Sequence, residues 1–178
     1  GSTFHRLAYN PQSGALIGPI PGQGFDANAS TWARGQAWAM NGFTRAYELT
    51  KNPEFLAAAQ RTAAFWVSRV PPGCIPAWDF DIENSRAPRD SSAAAIAADS
   101  LINLRRVVGD TAADYGAYAE VTLGLLTTPW ITTARSVNPG LLLQQSLNVP
   151  RSPQEGSYVW GDFYLLSALT QGFHREIL

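Results

Sequence analysis

The 178-residue chain is short of several residue types, and each shortage excludes a class of protein. Its single cysteine, Cys74, can form neither an internal disulfide nor a thiolate metal site. Two histidines, His5 and His174, are too few for a histidine-rich metal cage, so we expect no metal and no cofactor. No apolar run approaches the roughly 18 residues that predict a membrane span.

Charge of either sign is also scarce. Charged residues make up 15% of the chain, against roughly 25% in an average globular protein. There are 13 Lys and Arg against 14 Asp and Glu. This balance leaves no basic excess to neutralise a phosphate backbone, so nucleic acid is not an expected partner. The chain does not open with the pattern of a signal peptide, which favours a cytoplasmic location.

Hydrophobic residues make up 46% of the chain, which is ample for a folded core. Residues 1–30 are rich in Gly, Pro, Asn and Ser and are predicted to form an ordered loop segment. Beyond them, apolar residues recur at a spacing close to 3.6, which predicts helices with recognisable caps. The predicted helices are Trp32 to Thr50, capped by Ser30 or Thr31; Pro53 to Val70, capped by Asn52; Ser91 to Val108, capped by Asp90; Thr111 to Thr127, capped by Asp110; and Trp160 to Phe173.

No segment alternates apolar and polar residues for long enough to predict a sheet. The predicted fold class is therefore all-α, with the first helix antiparallel to the second, the third antiparallel to the fourth, and a lone last helix. Helix pairs that stack on neighbouring pairs form solenoids or closed toroids. A closed toroid needs more pairs than this chain has, so we expect about half of one to be present.

Polar groups and two indoles concentrate where the loop meets the first helix. Arg34 and Trp38 lie one helical turn apart and share a face. A guanidinium fork matches a carboxylate, and an indole offers an apolar plate to a sugar ring, so the pair fits an anionic sugar. Gly35 is costly inside a helix and favours a close approach there. The other interpretation, which the pattern alone favours, has Trp32 and Trp38 in the core and Arg34 in a salt bridge.

Four sequence blocks resemble a known enzyme family. They read STWARGQAWAMNGFTRAYELT, AWDF, PRDSSAAAIAA and WGDFYLLSAL, and they are similar to glycoside hydrolase family 88, the unsaturated glucuronyl hydrolases. Family 105, which acts on unsaturated rhamnogalacturonyl substrates, tends to have RGNGW where this chain has RGQAW. The resemblance implies an (α/α)6 toroid in which residues 1–178 are the C-terminal half of a single catalytic domain and residues 1–30 line the pocket.

The resemblance also implies an activity. Family members remove a 4,5-unsaturated uronic acid from the non-reducing end of oligosaccharides left by polysaccharide lyases. An aspartic acid protonates C4 of the enol ether, and water adds at C5. The family's substrate-binding positions match Arg34, Trp38 and Trp32, while His5 and Gln23 match supporting residues of the same pocket. The catalytic aspartate belongs to the N-terminal half, so no certain catalytic residue is predicted in this chain.

Alternatives to this enzyme stay open at this point. The chain could be a catalytically incomplete remnant that only binds uronates, a family 105 hydrolase, or a sugar epimerase of the same fold. Asp26 faces the predicted pocket and is the local acid best placed to substitute for the missing one. Because half a toroid exposes apolar helix faces, we expect the N-terminal half or a second chain to complete it.

Overall fold

The computed structural model of the protein describes residues 1–84, 86–109, 114–133 and 140–173. Helices make up about half of the described residues, and two small antiparallel hairpins lie in the segments outside them. The elements in chain order are β1 (Leu7–Tyr9), β2 (Leu16–Pro19), α1 (Ala33–Thr50), α2 (Pro53–Arg69), α3 (Ser91–Val108), α4 (Tyr115–Leu126), β3 (Gln145–Asn148), β4 (Ser152–Gly156) and α5 (Val159–Phe173). Within those ranges, no helix is both long and apolar enough to cross a membrane.

The mainly helical class that the sequence predicts is confirmed, and the two hairpins are additions to it. β1 pairs with β2, and β3 pairs with β4. These strands are three to five residues long. Such short segments hold too few residues for an alternating pattern to stand out from a loop.

The helix ends mostly follow their predicted caps. The Asp90 side chain accepts the Ala93 N–H at the start of α3, and Gly109 ends that helix with a φ of 74°, a conformation that glycine adopts readily. The predicted cap Asp110 lies outside the described residues. In the described part of the chain the fourth helix, α4, begins at Tyr115, and the Asp114 side chain caps it by accepting the backbone N–H of Ala117.

The predicted capping of α1 by Ser30 or Thr31 is wrong. The residue at the cap position is Trp32, which makes no side-chain capping bond. The first N–H of the helix, that of Ala33, instead donates to the backbone carbonyl of Trp78 at 2.9 Å. A distant loop therefore satisfies the start of this helix, and it does so at the point where the candidate site begins.

Contacts between α1 and α2 confirm their antiparallel arrangement. Gln36, early in α1, donates from Nε2 to the carbonyl of Thr62, late in α2, at 3.0 Å. Phe43, later in α1, stacks with Phe55 at the start of α2, with ring centroids 6.5 Å apart. The connection between the helices is correspondingly tight, because Lys51 turns the chain with a φ of 58°.

The central helix of the array is α3, which packs against α1, α4 and α5. Its alanine-rich first half is buried, and small side chains there allow neighbouring helices to approach closely. Near its C-terminal end, Arg105 lies against Gly116 at the start of α4. The third and fourth helices are therefore antiparallel, as predicted.

The three helices α1, α3 and α5 run parallel to one another. Arg34 meets Asp90 at the starts of α1 and α3, and further along Asn41 meets Asp99. The same order holds between α3 and α5, where Asp99 accepts from Ser167 and Arg106, one to two turns on, donates to Gln171. The N-terminal ends of these three helices consequently lie at the same end of the array.

Asp99 joins the three parallel helices through its carboxylate. Oδ1 accepts from Ser167 at 2.6 Å and from Gln171 at 2.8 Å, both on α5. Oδ2 accepts from Asn103 at 3.1 Å and from Asn41 of α1 at 3.3 Å. Burial raises the pKa of this carboxyl, and the Ser167 hydrogen bond opposes the rise.

We expect Asp99→Ala to lower the free energy of unfolding by about 2 kcal/mol, because it removes the acceptor shared by Asn103 and by part-buried donors on α1 and α5. Urea denaturation of the 178-residue chain measures the change. Glu83→Ala, which removes an exposed loop carboxylate, serves as the control and should stay within about 0.5 kcal/mol of the parent. A loss equally small for Asp99→Ala would show that the carboxylate does not join the helices energetically.

Candidate functional site

Arg34 lies at the end of the array where the parallel helices begin, and it is only 3% exposed. Its Nη1 is 2.5 Å from Oδ2 of Asp90, the residue that caps α3. A buried ion pair of this kind is costly to break, since removal of one partner leaves an uncompensated charge. The pair therefore holds the starts of α1 and α3 together.

Backbone carbonyls of β3 and two side chains satisfy the rest of the guanidinium. Nη1 also donates to the carbonyl of Ser146 and, at 3.3 Å, to Oγ of Ser92. Nη2 donates to the carbonyl of Leu147 at 2.8 Å and to Oε1 of Gln23 at 3.3 Å. The bond to Gln23 is long, and it is the contact of Nη2 that a ligand could replace at least cost.

Burial affects both members of the ion pair. It lowers the pKa of Arg34, although the negative charge of Asp90 acts in the opposite direction. Burial likewise raises the pKa of Asp90, against the effect of the Arg34 charge and of the hydrogen bond from Ser92. The charged form of Asp90 therefore depends on Arg34 and Ser92, the partners that offset the cost of burial.

Two indoles enclose the guanidinium. Cζ of Arg34 is 4.6 Å from the ring centroid of Trp32 and 5.4 Å from that of Trp160, both within the range of a cation–π contact. Trp160 in turn stacks on Tyr158, with ring centroids 4.7 Å apart and planes 5° apart. The nearer indole is that of Trp32, whose ring folds back over Gly35, and not that of Trp38, which the spacing predicts.

Gly35 provides the close approach that the sequence predicts. A Cβ at this position would lie 2.7 Å from Cε3 of Trp32. Any larger residue would push the indole away from the helix and from the guanidinium of Arg34. The glycine is thus needed for the ring to reach its position.

Asp79, 1% exposed, ties the loop that carries Gln23 to the helix array. Its Oδ2 accepts from the Phe25 N–H and from Oγ of Ser30, both at 2.8 Å. The exposed Asp26 uses its Oδ1 to accept the Asn28 N–H. Both carboxylates are therefore engaged in hydrogen bonds to residues 25–30 of this loop.

His5 completes the arrangement. Its Nδ1 accepts the backbone N–H of Gln23 at 2.7 Å, and its ring lies 4.6 Å from the ring of Trp32. His5, Gln23, Arg34 and Trp32 consequently form a closed ring of contacts, each residue touching the next. We refer to these four residues as the contact ring.

A cleft of about 660 Å³ begins at the contact ring and follows one face of α1. His5, Trp32 and Trp38 line it, whereas Arg34 lies behind its wall. Trp38 meets Tyr164 of α5 edge to face, with ring centroids 5.1 Å apart. Across the described ranges, no cluster of three His, Cys, Asp or Glu side chains is arranged to hold a metal ion.

The structure thus brings four of the five sequence-predicted residues into mutual contact and places Trp38 one turn further along the cleft. Their roles toward a substrate stay predictions. Sequence reasoning missed Asp79 as the loop's anchor and Trp160 as the second indole, although both lie within the AWDF and WGDFYLLSAL blocks. The sequence also did not reveal Asp90 as the ion-pair partner of Arg34, because the two residues lie 56 positions apart and no local pattern connects them.

Known proteins are similar to this chain over nearly its whole length. No protein-family model matches it. An unsaturated glucuronyl hydrolase of Formosa agariphila is 39% identical over 173 residues, which are 94% of this chain and 42% of that protein. The chain therefore spans about half the length of the relatives it matches.

Two solved structures share the fold. The crystal structure of an unsaturated glucuronyl hydrolase specific for heparin has a TM-score of 0.91 at 32% identity, over 99% of this chain and 48% of that one. The Bacillus sp. GL1 unsaturated glucuronyl hydrolase, responsible for the degradation of glycosaminoglycan, has a TM-score of 0.86 at 30% identity, over 96% of this chain and 46% of that one.

Fold and site together define a protein of the helical-toroid class, of which this chain forms about half. The particular family that it resembles is the one that the sequence blocks indicate. The resemblance to glycoside hydrolase family 88 is confirmed over 94% of the chain, which corresponds to the C-terminal half of the unsaturated glucuronyl hydrolases.

We expect Gly35→Ala to destabilise the chain by about 1 kcal/mol or more, because overpacking against Trp32 outweighs alanine's helix propensity. Gly42→Ala is the matched control on the same helix: a Cβ there meets nothing within 4 Å, so it should stabilise the chain by up to about 1 kcal/mol. Urea denaturation followed by tryptophan fluorescence measures both. Equal stability of the two variants would contradict the close packing of the indole on Gly35.

Proposed function

We propose that this chain supplies the substrate-carboxylate side of an unsaturated glucuronyl hydrolase. The complete enzyme would remove a 4,5-unsaturated uronic acid from the non-reducing end of lyase-generated oligosaccharides by hydration of the C4=C5 enol ether. The observation that carries this proposal is the contact ring, which places His5 and Trp32 on the wall of a cleft lined by indoles, and the guanidinium of Arg34, hydrogen-bonded to Gln23, directly behind that wall. The similarity to glucuronyl hydrolases supports the same substrate class.

Arg34 is proposed to bind the carboxylate of the uronate through Nη2. Asp90 keeps Nη1, so the ion pair between α1 and α3 survives ligand binding. The long bond from Nη2 to Gln23 gives way to a charge-assisted bond with the substrate, which is shorter and stronger. The displaced amide of Gln23 then turns toward the ligand as a supporting contact.

The indoles of Trp32 and Trp38 are proposed to hold the apolar face of the sugar. Both line the cleft, and the edge-to-face contact with Tyr164 fixes the orientation of the Trp38 ring. Aromatic rings packed against sugar C–H groups give affinity without charge. Residues 1–30 take part in the same pocket through Thr3, Phe4 and His5, which also line the cleft.

The acid that protonates C4 is proposed to come from outside this chain. The described lining of the cleft contains no acidic side chain. Asp79 and Asp90 are held by scaffold hydrogen bonds, and Asp26 is exposed and does not line the cleft. Protonation of an enol ether requires a carboxylic acid within hydrogen-bond reach of the carbon. A catalytic aspartate in an N-terminal half would meet that requirement.

Two open faces support the presence of a missing half. On α1, the cleft exposes a floor of small residues, Gly35, Ala39, Gly42 and Ala46, along one helix face. On α5, the exposed side chains are Val159, Phe163 and Leu166, with exposures of 77%, 60% and 51%. Apolar faces of this kind are usually covered in a folded protein. We propose that an N-terminal half, or a second chain, covers them and that residues 1–178 belong to one catalytic domain.

A second candidate function is a binding protein that turns nothing over. The absence of an acid from the described cleft lining favours it for the 178-residue chain by itself. In this alternative the contact ring binds uronates, and no half-toroid supplies the aspartate. The cytoplasmic location stays a prediction under either function.

We expect the 178-residue chain to leave the enol-ether absorbance of an unsaturated glucuronyl disaccharide unchanged. When the N-terminal half of the Formosa agariphila hydrolase is fused ahead of Gly1, the absorbance should fall as the disaccharide is hydrolysed, because the fusion adds the missing acid. The same fusion with the donor's catalytic aspartate changed to asparagine is the matched control. Turnover by the chain alone would contradict the proposed division of the site.

Arg34→Lys is expected to weaken binding of the unsaturated disaccharide at least tenfold, about 1.4 kcal/mol. Lysine keeps a positive charge beside Asp90 but loses the fork that serves both the scaffold and the substrate. Arg45→Lys, on an exposed turn of the same helix and paired with Glu48 at 2.8 Å, is the control and should bind as the parent does. Isothermal titration calorimetry of the fused protein measures these affinities. Equal affinities of the parent and of Arg34→Lys would show that Arg34 does not bind the substrate.

A further inference from the structure

The hydrogen bond at His5 determines which ring nitrogen carries the proton. The backbone N–H of Gln23 points at Nδ1 from 2.7 Å. A backbone N–H can only donate, so Nδ1 must be the acceptor and carries no hydrogen. A neutral imidazole then bears its proton on Nε2.

The loop is shaped to make that bond. A Cβ on Gly22 would lie 2.1 Å from Nδ1 of His5, so only glycine lets the imidazole approach the backbone at this point. On its other side the ring lies against Trp32, with planes inclined at 58°. Gly22, Gln23 and Trp32 together therefore determine the orientation of the ring.

The surrounding charge also favours the neutral form. Burial lowers the pKa of His5, and the positive charges of Arg6, the next residue along the chain, and of Arg34 on α1 lower it further. An imidazolium would in addition place the Nδ1 hydrogen against the N–H of Gln23, two donors facing each other. A proton gained by this ring would thus cost the bond that positions it.

We infer that His5 is a neutral hydrogen-bond donor that offers Nε2–H to an acceptor oxygen of the sugar in the cleft, and that it does not act as an acid or a base. His5 lines the cleft, and with Nδ1 occupied, Nε2–H is the one ring group left for a ligand. The identity of the ligand rests on the proposed function, whereas the protonation of the ring does not. His5 is accordingly a substrate-binding residue that favours an oxygen with a free lone pair.

Nitrogen-15 NMR of the imidazole tests the ring directly. The sequence has two histidines, so His174→Gln leaves His5 as the only one observed. We expect the Nε2–H form, titrating below about pH 6.5. Gly22→Ala should displace the ring and bring its titration closer to the ordinary value, whereas Gly124→Ala, where a Cβ meets nothing within 4 Å, should change neither. An Nδ1–H form, or a midpoint above 6.5, would overturn the inference.

Two substitutions at position 5 test the donor role in the fused protein. The amide nitrogen of glutamine reaches the place of Nε2, so His5→Gln should keep most of the affinity for the unsaturated disaccharide. The shorter amide of asparagine reaches only as far as Nδ1, so His5→Asn should bind the disaccharide about tenfold more weakly, the contribution of one hydrogen bond. Equal affinity of both variants and the parent would overturn the donor role while the uronate site stands. Failure of the parent itself to bind would overturn the proposed function, and with it the donor role, while the NMR result still reports the ring's protonation.

Discussion

The ion pair between Arg34 and Asp90 is the interaction on which the end of this helix array depends. Asp90 uses one oxygen for Arg34 and the other for Ser92 and the start of its own helix. Arg34 extends the connection to the carbonyls of Ser146 and Leu147 in β3. Two buried charges are tolerated only when each is paired and hydrogen-bonded, and here that pairing aligns two helices, a strand and the loop of Gln23.

Much of the fold follows from local sequence signals, and α3 shows why. Its cap, its alanine-rich run and its terminal glycine all lie within one segment, so its predicted and observed ends agree. At α1 the same reasoning fails, because a carbonyl from the distant AWDF loop replaces the expected Ser or Thr cap. The hairpins escape prediction for a related reason: short strands depend on their partner more than on their own pattern.

The candidate site divides in the same way. Arg34 could be identified from the loop-to-helix motif and from a family resemblance, but its hydrogen-bond partners could not, since they come from three separate segments of the chain. The salt-bridge interpretation of the motif is confirmed for Arg34. The indoles beside its guanidinium are those of Trp32 and Trp160, whereas Trp38, the expected neighbour, packs against Tyr164. The nearer indole is Trp32 because Gly35 leaves room for it. Conformation, and not residue type, decides which aromatic ring a guanidinium meets.

The central claim is that a guanidinium on this half of the toroid binds the carboxylate of an unsaturated uronate. The most direct measurement compares the affinity of the fused protein for an unsaturated glucuronyl disaccharide with its affinity for the methyl ester of the same sugar. The ester keeps the ring, the double bond and the hydroxyls but loses the negative charge. At least tenfold weaker binding of the ester is the result that the account predicts, and equal binding of acid and ester would contradict it.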